Sequence, residues 1–333
     1  MSAPIPRALG PDPVVWQRDE LLDLDAIGRR LASRLGAGGT IAIGSCRPTC
    51  VSYAVRKRVR VLYEIEVAGN WYHIAASSFR SGARSERAYD RALESAHGCG
   101  PLKPVLHDSE LEAVFWTFPN DRRLRALRAA TEPSPGPARL LDGRWAKSEL
   151  VDYYPEASAV VRCLDDSGET VAFAKVHAGE EGARTHRAQR ALVRAARGSS
   201  LRLAHPLAYS SDHRMLLVEP IRGRAIGRLT GRDLSKGLFA YGAALATLHS
   251  LPLDHVPAPS RPQLERLKRK ARDIGVVRPD IEARGNELLA EISKRWPAAQ
   301  DAPVFVHGDA NANNAILQNG RVALIDFDRA SSG

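Results

Sequence analysis

The feature that most constrains the fold of this 333-residue chain is an Asn319–Gly320 dipeptide between two apolar runs. Both positions of a type I′ turn need a positive φ, which these two residues tolerate, so the dipeptide predicts a two-residue β-hairpin turn. Such a turn sets Ala315 opposite Leu324 on the two strands. Continued further along the strands, the same register places Asn313 opposite Asp326.

Polar side chains gather at the open end of this predicted hairpin. Asp309 precedes the first strand, Asp326 follows the second, and either Asn313 or Asn314 lies beside them. A carboxylate and a carboxamide together form a hard oxygen site that Mg²⁺ favours, with water and phosphate oxygens as further ligands. A second carboxylate nearby can accept the proton of an attacking hydroxyl. These groups meet the main requirements of phosphoryl transfer, whereas a single Asp or Asn would indicate only a turn.

In the second half of the chain, strand-like segments precede helical ones. The apolar patterns predict strands at 158–163, 170–176 and 214–219, and helices at 182–197, 234–248, 263–274 and 280–296. A strand-rich part followed by a helix-rich part predicts an α+β fold with two segregated lobes.

A Pro-rich stretch separates this half from the residues that precede it. Thr131–Pro137 contains three prolines and a glycine without apolar periodicity, which is typical of a linker. The sequence therefore predicts an N-terminal α+β domain (1–130), a Pro-rich linker (131–143), a strand-rich lobe (144–222) and a helical lobe (223–333).

The N-terminal domain is similar in sequence to the strand-rich lobe. Gly82–Ala88 matches Gly182–Ala188 at an offset of 100 residues, and strand-like segments precede both. One interpretation is that the domain is a degenerate copy of the lobe. The other is a chance similarity between two helices rich in Arg and Ala. In a degenerate copy, Ala75 would stand where the lobe has Lys175.

Composition excludes several classes of protein. Hydrophobic residues make up 44% of the chain and charged residues 26%, which is typical of a globular protein. No apolar run approaches the roughly 18 residues of a membrane-spanning helix, so we expect no membrane partner. The net charge is +10, but 40 of the 48 basic residues are scattered Arg, so we expect no nucleic-acid partner. Four Cys are too few for a disulfide framework, which favours a reduced, cytoplasmic protein.

The residues around the hairpin also match a known pattern. His307-Gly308-Asp309, then Asn314, then Ile325-Asp326 resemble the H-G-D-x-x-x-x-N … I-D motif of the aminoglycoside phosphotransferase and choline-kinase-like family. The protein-kinase catalytic loop has the same spacing, with Arg in place of the glycine. The resemblance covers residues 145–333. It implies a bilobal protein-kinase-like fold, with ATP and Mg²⁺ as cofactors.

The resemblance also implies roles for the hairpin residues. Asp309 would be the catalytic base, and Asn314 and Asp326 would hold Mg²⁺. The motif spacing selects Asn314 over Asn313, which the hairpin register alone does not. Asp328 is expected to point away from Asp326 and to matter less.

Further residues match the nucleotide site of the family. Lys175, at the end of an apolar strand, matches the lysine that pairs with ATP phosphates. Backbone groups at Glu219 and Ile221 match the hinge that binds adenine. His307 would brace the catalytic loop.

Two departures from the family pattern concern the surroundings of Lys175. No glycine-rich loop precedes this lysine, and residues 154–158 stand in its place. The glutamate that the family has on the following helix is absent. Glu180 or Glu181 could replace that glutamate, or Gln189 could form a hydrogen bond instead of an ion pair.

These residues predict an ATP- and Mg²⁺-dependent phosphotransferase that phosphorylates a hydroxyl group of a small molecule, such as a sugar, an amino alcohol or an antibiotic-like acceptor. A catalytically inactive, nucleotide-binding regulator is the alternative, and a nucleic-acid-binding protein with a kinase-like body is a third. Family members continue with further helices after the second aspartate, which predicts a lobe truncated at Gly333. Because the chain is basic and lacks that region, neutral or anionic alcohols are favoured over polycationic aminoglycosides.

Overall fold

The computed structural model describes residues 9–132, 135–252, 263–296 and 303–332. The helices, in chain order, are α1 (Gln17–Leu22), α2 (Leu24–Arg34), α3 (Gly82–Leu93), α4 (Leu127–Thr131), α5 (Pro135–Ala138), α6 (Glu181–Ala195), α7 (Gly231–His249), α8 (Gln263–Val277) and α9 (Glu282–Arg295). None of the helices in those ranges is long and apolar enough to cross a membrane.

The strands are β1 (Cys46–Ala54), β2 (Arg58–Val67), β3 (Asn70–Ser78), β4 (Val105–Asp108), β5 (Ala113–Thr117), β6 (Lys147–Tyr154), β7 (Ser158–Leu164), β8 (Thr170–His177), β9 (Arg202–Leu203), β10 (Pro206–Ser210), β11 (Met215–Val218), β12 (Arg224–Ala225), β13 (Phe305–Val306), β14 (Ala315–Gln318), β15 (Arg321–Leu324) and β16 (Ser331–Ser332). Each strand and helix that the sequence predicts in the second half is present, and its ends differ by a few residues at most.

The chain divides into two compact units. The first comprises Met1–Arg125, Tyr154–Glu156 and Arg261–Ala298, and the second comprises Ala126–Tyr153, Ala157–Ser260 and Ala299–Gly333. Helices α8 and α9 therefore belong to the first unit, although their sequence pattern suggested a place in the helical lobe. The domain boundaries expected at residues 130, 143 and 222 stay predictions.

The first unit is built on a five-stranded antiparallel sheet with the order β1-β2-β3-β5-β4. Helix α3 connects β3 to β4, and α1 and α2 contact the sheet. Apolar side chains from α1, α2 and the strands form one core, because burying them removes their surface from water. Members of that core include Leu21, Ile27, Leu31, Tyr63 and Phe115.

The second unit begins with another five-stranded sheet, in the order β10-β11-β8-β7-β6, and α6 follows β8. A smaller sheet, β12-β14-β15-β9, comes next, and α7 packs on β15. The core of this second part includes Leu192, Ile226, Leu248, Phe305 and Leu324. The structure confirms the expected α+β class: a strand-rich lobe, then a helical lobe, preceded by an additional α+β domain.

The two five-stranded sheets share one topology. Numbered within each sheet, the strands pair in the order first, second, third, fifth and fourth, and a helix follows the third. Ala75 pairs with Trp116 in the first sheet and Lys175 pairs with Leu216 in the second, so the offset is 100 at both positions. This common register supports the interpretation of the first sheet as a degenerate copy, which stays a prediction.

The described part of the Pro-rich stretch forms short helical turns. Helix α5 begins at Pro135, where the missing N–H of proline removes no helical hydrogen bond. A 3₁₀ turn over Arg139–Leu141 follows, and the Leu141 side chain is buried. The connection is therefore packed against the second unit, to which its residues belong.

Candidate active site

The predicted hairpin is present as β14 and β15. Asn319 and Gly320 have φ values of 49° and 76°, as a type I′ turn requires. Ala315 pairs with Leu324, which confirms the predicted register. Regular pairing ends at this pair, and the polar residues lie in the segments beyond it.

Pairing does not continue to Asn313, contrary to the register expected from the sequence. The chain forms a 3₁₀ turn here, and the N–H of Ile325 donates to the carbonyl oxygen of Asn314 at 3.1 Å. Asn313 is exposed and lies against Gly227, where an added Cβ would overlap its side-chain oxygen. Asn314 lies beside the Asp309 loop and contacts it, and the choice of Asn314 over Asn313 as a Mg²⁺ ligand stays a prediction.

Side-chain amides hold the loop that carries Asp309. Asn314 Nδ2 donates to the backbone carbonyl oxygen of Asp309 at 3.0 Å, and Asn311 Nδ2 lies 3.3 Å from Asp309 Oδ1. Gly308 has a φ of 78°, and the carbonyl oxygen of Arg329 occupies the space that a Cβ there would need. The Asp309 side chain stays partly exposed, so a reacting hydroxyl can reach it.

His307 is buried and links the two segments of the site. Its Nε2 forms a 2.9 Å hydrogen bond with the carbonyl oxygen of Ile325, next to Asp326. The ring also packs on Phe327, with 4.5 Å between ring centroids. Burial lowers the pKa of His307, so the neutral imidazole is favoured at neutral pH. His307 therefore joins the segment that carries Asp309 to the segment that carries Asp326.

Lys175 and Asp326 form the central ion pair. Lys175 Nζ lies 2.6 Å from Asp326 Oδ1, and the lysine side chain is 14% exposed. Burial opposes ionisation of Lys175, but the charges of Asp328 and Asp326 outweigh it and raise the pKa of the lysine. Burial also opposes ionisation of Asp326, and Lys175 nevertheless lowers the pKa of that carboxyl group. Both groups are therefore charged at neutral pH.

Asp328 also faces Lys175, so the expectation that it points away from Asp326 is wrong. Its Oδ1 lies 3.3 Å from Lys175 Nζ. Side chains two positions apart in an extended chain point to the same side, and Phe327 between them is buried in the core. This rule was the available signal that sequence reasoning missed. Asp326 itself has a φ of 65°, a left-handed conformation that Asp and Asn adopt more readily than most residues with a Cβ.

The turn between β6 and β7 occupies the position at which protein kinases have a glycine-rich loop. Glu156 in this turn belongs to the first unit, where its buried carboxylate contacts Arg60 at 2.7 Å and also Arg122. Its backbone N–H donates to Asp121 Oδ2 at 2.6 Å. These contacts occupy the polar groups of Glu156, so they are not free to bind phosphate.

The segment after β11, which contains Glu219 and Ile221, has an irregular backbone. The N–H of Glu219 donates to the carbonyl oxygen of His205 at 2.9 Å, and the Glu219 carboxylate pairs with Arg202 at 2.8 Å. Within the described ranges, neither the Glu219 carbonyl oxygen nor the Ile221 N–H has a backbone hydrogen-bond partner. The Glu219 carbonyl oxygen could therefore accept, and the Ile221 N–H could donate, a hydrogen bond to a ligand.

The donor set near the hairpin fits Mg²⁺. Asp326 supplies carboxylate oxygens, and Asn314 supplies an amide oxygen whose own NH₂ group is engaged elsewhere. The described residues contain no cluster of three or more His, Cys, Asp or Glu that could hold a metal ion by themselves. Mg²⁺ keeps several waters and substrate phosphates as ligands and needs only one or two protein carboxylates.

Comparison with solved structures finds aminoglycoside phosphotransferases. APH(3'')-Id from Streptomyces rimosus is 22% identical, and the match covers 63% of this chain and 78% of that one, with a TM-score of 0.44. The streptomycin–ATP complex of APH(2'')-IIa is 17% identical, covering 60% and 72%, with a TM-score of 0.44. A mutant APH(4)-Ia with ADP and hygromycin B is 16% identical, covering 61% and 73%, with a TM-score of 0.48.

Comparison of sequences gives the family directly. No curated protein matches the chain. The model of the phosphotransferase enzyme family, APH, matches residues 155–333, which is more than half of the chain. The matched region contains the Lys175–Asp326 ion pair, the hinge and the Asp309 loop. This chain is a member of the APH phosphotransferase enzyme family.

Proposed function

We propose that this protein transfers the γ-phosphoryl group of ATP to a hydroxyl group of a small molecule, with Mg²⁺ bound. The observation that carries the proposal is the contact between Lys175 and Asp326, which are 151 residues apart in sequence. The hydrogen bond between Asn314 and the Asp309 backbone adds the second part of the site. Together these residues offer a cation for phosphate, metal ligands and a free carboxylate, which phosphoryl transfer requires.

Asp309 acts as the general base in this mechanism. Its carboxylate accepts the proton of the acceptor hydroxyl while the hydroxyl oxygen forms a bond to the γ-phosphorus. The bond between the γ-phosphorus and its bridging oxygen to the β-phosphorus breaks, and ADP leaves. Asn314 fixes the backbone of Asp309, so the carboxylate stays in place during the reaction.

The remaining residues bind and orient the nucleotide. Lys175 neutralises phosphate oxygens, and Asp326 with Asn314 holds Mg²⁺. Bound there, Mg²⁺ neutralises charge on the phosphate oxygens. The Glu219 carbonyl oxygen accepts from the amino group of adenine, and the Ile221 N–H donates to a ring nitrogen.

The acceptor class follows from charge. The chain carries a net charge of +10, which opposes the approach of polycationic molecules. We therefore place sugars and other neutral or anionic alcohols before amino alcohols and antibiotic-like acceptors. Streptomycin and hygromycin B, which the solved relatives bind, complete the range to be tested.

The test is transfer of label from γ-³²P-ATP to a panel of these acceptors, with and without Mg²⁺. We expect labelled product with at least one alcohol, formed only when Mg²⁺ is present. Binding of Mg²⁺-ATP without transfer to any acceptor would favour the inactive, nucleotide-binding regulator. Absence of nucleotide binding would overturn both assignments. Asp212→Asn, in an exposed turn, is the matched control for active-site substitutions.

A further inference from the structure

The ammonium group of Lys175 is enclosed and has two carboxylate neighbours. The distances from Nζ are 2.6 Å to Asp326 Oδ1 and 3.3 Å to Asp328 Oδ1. An enclosed ammonium group needs opposite charges and hydrogen-bond acceptors close by, because water no longer solvates it. The two aspartates therefore share the task of keeping this lysine charged and in place.

The helix that follows Lys175 supplies no such partner. Glu180 lies 3.8 Å from Arg214 and is 74% exposed, while Glu181 lies 3.9 Å from Arg184 and is 55% exposed. Gln189 is buried, and its NH₂ group donates at 2.6 Å to a backbone carbonyl oxygen, that of Ala204. Among the described residues, Lys175 is thus paired with aspartates that follow the hairpin rather than with α6.

Mg²⁺ bound to Asp326 would weaken the pairing of that carboxylate with Lys175. A carboxylate that ligates Mg²⁺ shares its charge with the ion, so it balances the lysine less well. Asp328 then becomes the carboxylate that remains for Lys175. Its place is fixed by the buried Phe327, whose ring packs in the core and directs both neighbouring aspartates to the same side.

We propose that Asp328 is a positioning residue that holds Lys175 toward the nucleotide phosphates, in the role of the missing helix glutamate. This inference rests on the function proposed above. Asp328 touches neither the acceptor nor the reacting phosphorus in this assignment. It acts through Lys175, so its removal weakens nucleotide binding more than it alters acceptor binding.

The first experiment compares Asp328→Asn with Asp328→Glu for affinity toward Mg²⁺-ATP and for the KM values of ATP and acceptor. We expect Asp328→Asn to weaken ATP affinity roughly tenfold to a hundredfold, the usual value of a hydrogen bond to a charged group. The acceptor KM stays near that of the unmodified protein. Asp328→Glu restores a carboxylate and recovers part of the affinity.

Glu180→Gln and Glu181→Gln are the matched controls, because each removes one carboxylate at the start of α6. Both are expected to leave ATP affinity unchanged. A loss of affinity in either control, with none in Asp328→Asn, would move the role back to the helix. Equal losses in Asp328→Asn and Asp328→Glu would also overturn the proposal, since the carboxylate would then not matter.

A second experiment needs no nucleotide. The shifts in Tm of Lys175→Met, Asp328→Asn and the double variant form a double-mutant cycle. We expect the double variant to shift Tm by less than the two single shifts combined, and additive shifts would show that the two residues are not coupled. If the unmodified protein bound no Mg²⁺-ATP, the function proposed above would fail, and the positioning role with it. Normal binding by Asp328→Asn would remove only the role of Asp328.

Discussion

The backbone carbonyl oxygen of Arg329 lies where a side chain on Gly308 would begin. The two residues belong to the segments that carry Asp309 and Asp326, so this close approach brings those two segments together. The same contact explains why the loop has glycine where protein kinases have arginine. No side chain fits at this position.

Gly308→Ala is therefore expected to disrupt the site. The methyl group would meet the carbonyl oxygen of Arg329, and the φ of 78° adds a strain of about 1–2 kcal/mol for any residue with a Cβ. Gly320→Ala is the matched control, because its φ is 76° but nothing lies within 4 Å of the added Cβ. Circular dichroism should show a larger loss of folded structure in Gly308→Ala than in Gly320→Ala. ATP turnover should likewise fall more in Gly308→Ala. Equal effects would mean that backbone strain alone matters.

Asp309→Asn should lower kcat by about 10²–10⁴, the usual contribution of a general base, and leave ATP affinity near that of the unmodified protein. The substitution keeps the shape of the side chain, whose Oδ1 lies 3.3 Å from Asn311 Nδ2. Steady-state turnover of a confirmed acceptor measures the effect. Unchanged turnover would exclude Asp309 as the base.

Asn314→Ala and Asn313→Ala should behave differently, although the two residues are adjacent. Removing the Asn314 amide deletes its 3.0 Å hydrogen bond to the Asp309 carbonyl oxygen and one candidate Mg²⁺ ligand. We expect weaker Mg²⁺-ATP binding and a lower kcat in that variant. Asn313→Ala should leave Mg²⁺-ATP affinity and kcat unchanged, since that side chain is exposed and lies against Gly227. Titration of activity with Mg²⁺ decides the point, and the reverse order of effects would reassign the ligand.

Asp12 should make the stability of the first unit depend on pH. Its buried carboxylate accepts hydrogen bonds from Tyr53 Oη at 2.6 Å, from the Arg56 N–H at 2.7 Å and from two N–H groups nearby. Burial opposes ionisation, but these hydrogen bonds outweigh it and lower the pKa of Asp12. A lowered folded-state pKa gives stability that is present above about pH 4 and is lost as pH falls through that lowered pKa.

Asp12→Asn is therefore expected to lower the free energy of unfolding by about 1.5–3 kcal/mol at pH 7. The difference in the free energy of unfolding between the variant and the unmodified protein should shrink on acidification. Asp12 then becomes protonated in the unmodified protein, so it is uncharged like the asparagine of the variant. Thermal unfolding at pH 7 and pH 3 measures both differences. A constant difference would show that the charge of Asp12 contributes nothing.

Local sequence signals predicted much of the site. The Asn319–Gly320 turn and the alternation around it gave the register that pairs Ala315 with Leu324, because both are set by neighbours in sequence. The spacing of the family motif added the identity of Asn314, which the register could not distinguish from Asn313. Lys175 was assigned through its match to the family pattern, because a lone lysine in an apolar strand does not by itself indicate a phosphate contact.

Tertiary contacts decided the rest. The predicted strand register ends at Ala315 because the chain forms a 3₁₀ turn just before it. Asp326 has a positive φ, which no local sequence pattern predicts. The pairing of Lys175 with Asp326 and Asp328, 151 and 153 residues away, depends on tertiary contacts, although the two-residue period alone already places Asp328 on the side of Asp326. The membership of α8 and α9 in the first unit depends on contacts between residues far apart in sequence, which amphipathic periodicity does not encode.

Strands β3 and β8, the third strands of the two five-stranded sheets, differ in burial. The last five residues of β3 and all of β5 are buried, whereas buried and partly exposed residues alternate along much of β8. Amide hydrogens buried on both faces exchange with solvent only when a large part of the structure opens. The β3 amides should therefore exchange at the rate of global opening, while those around Lys175 exchange through smaller fluctuations. We therefore expect the amides of β3 to be protected against exchange more strongly than those of β8.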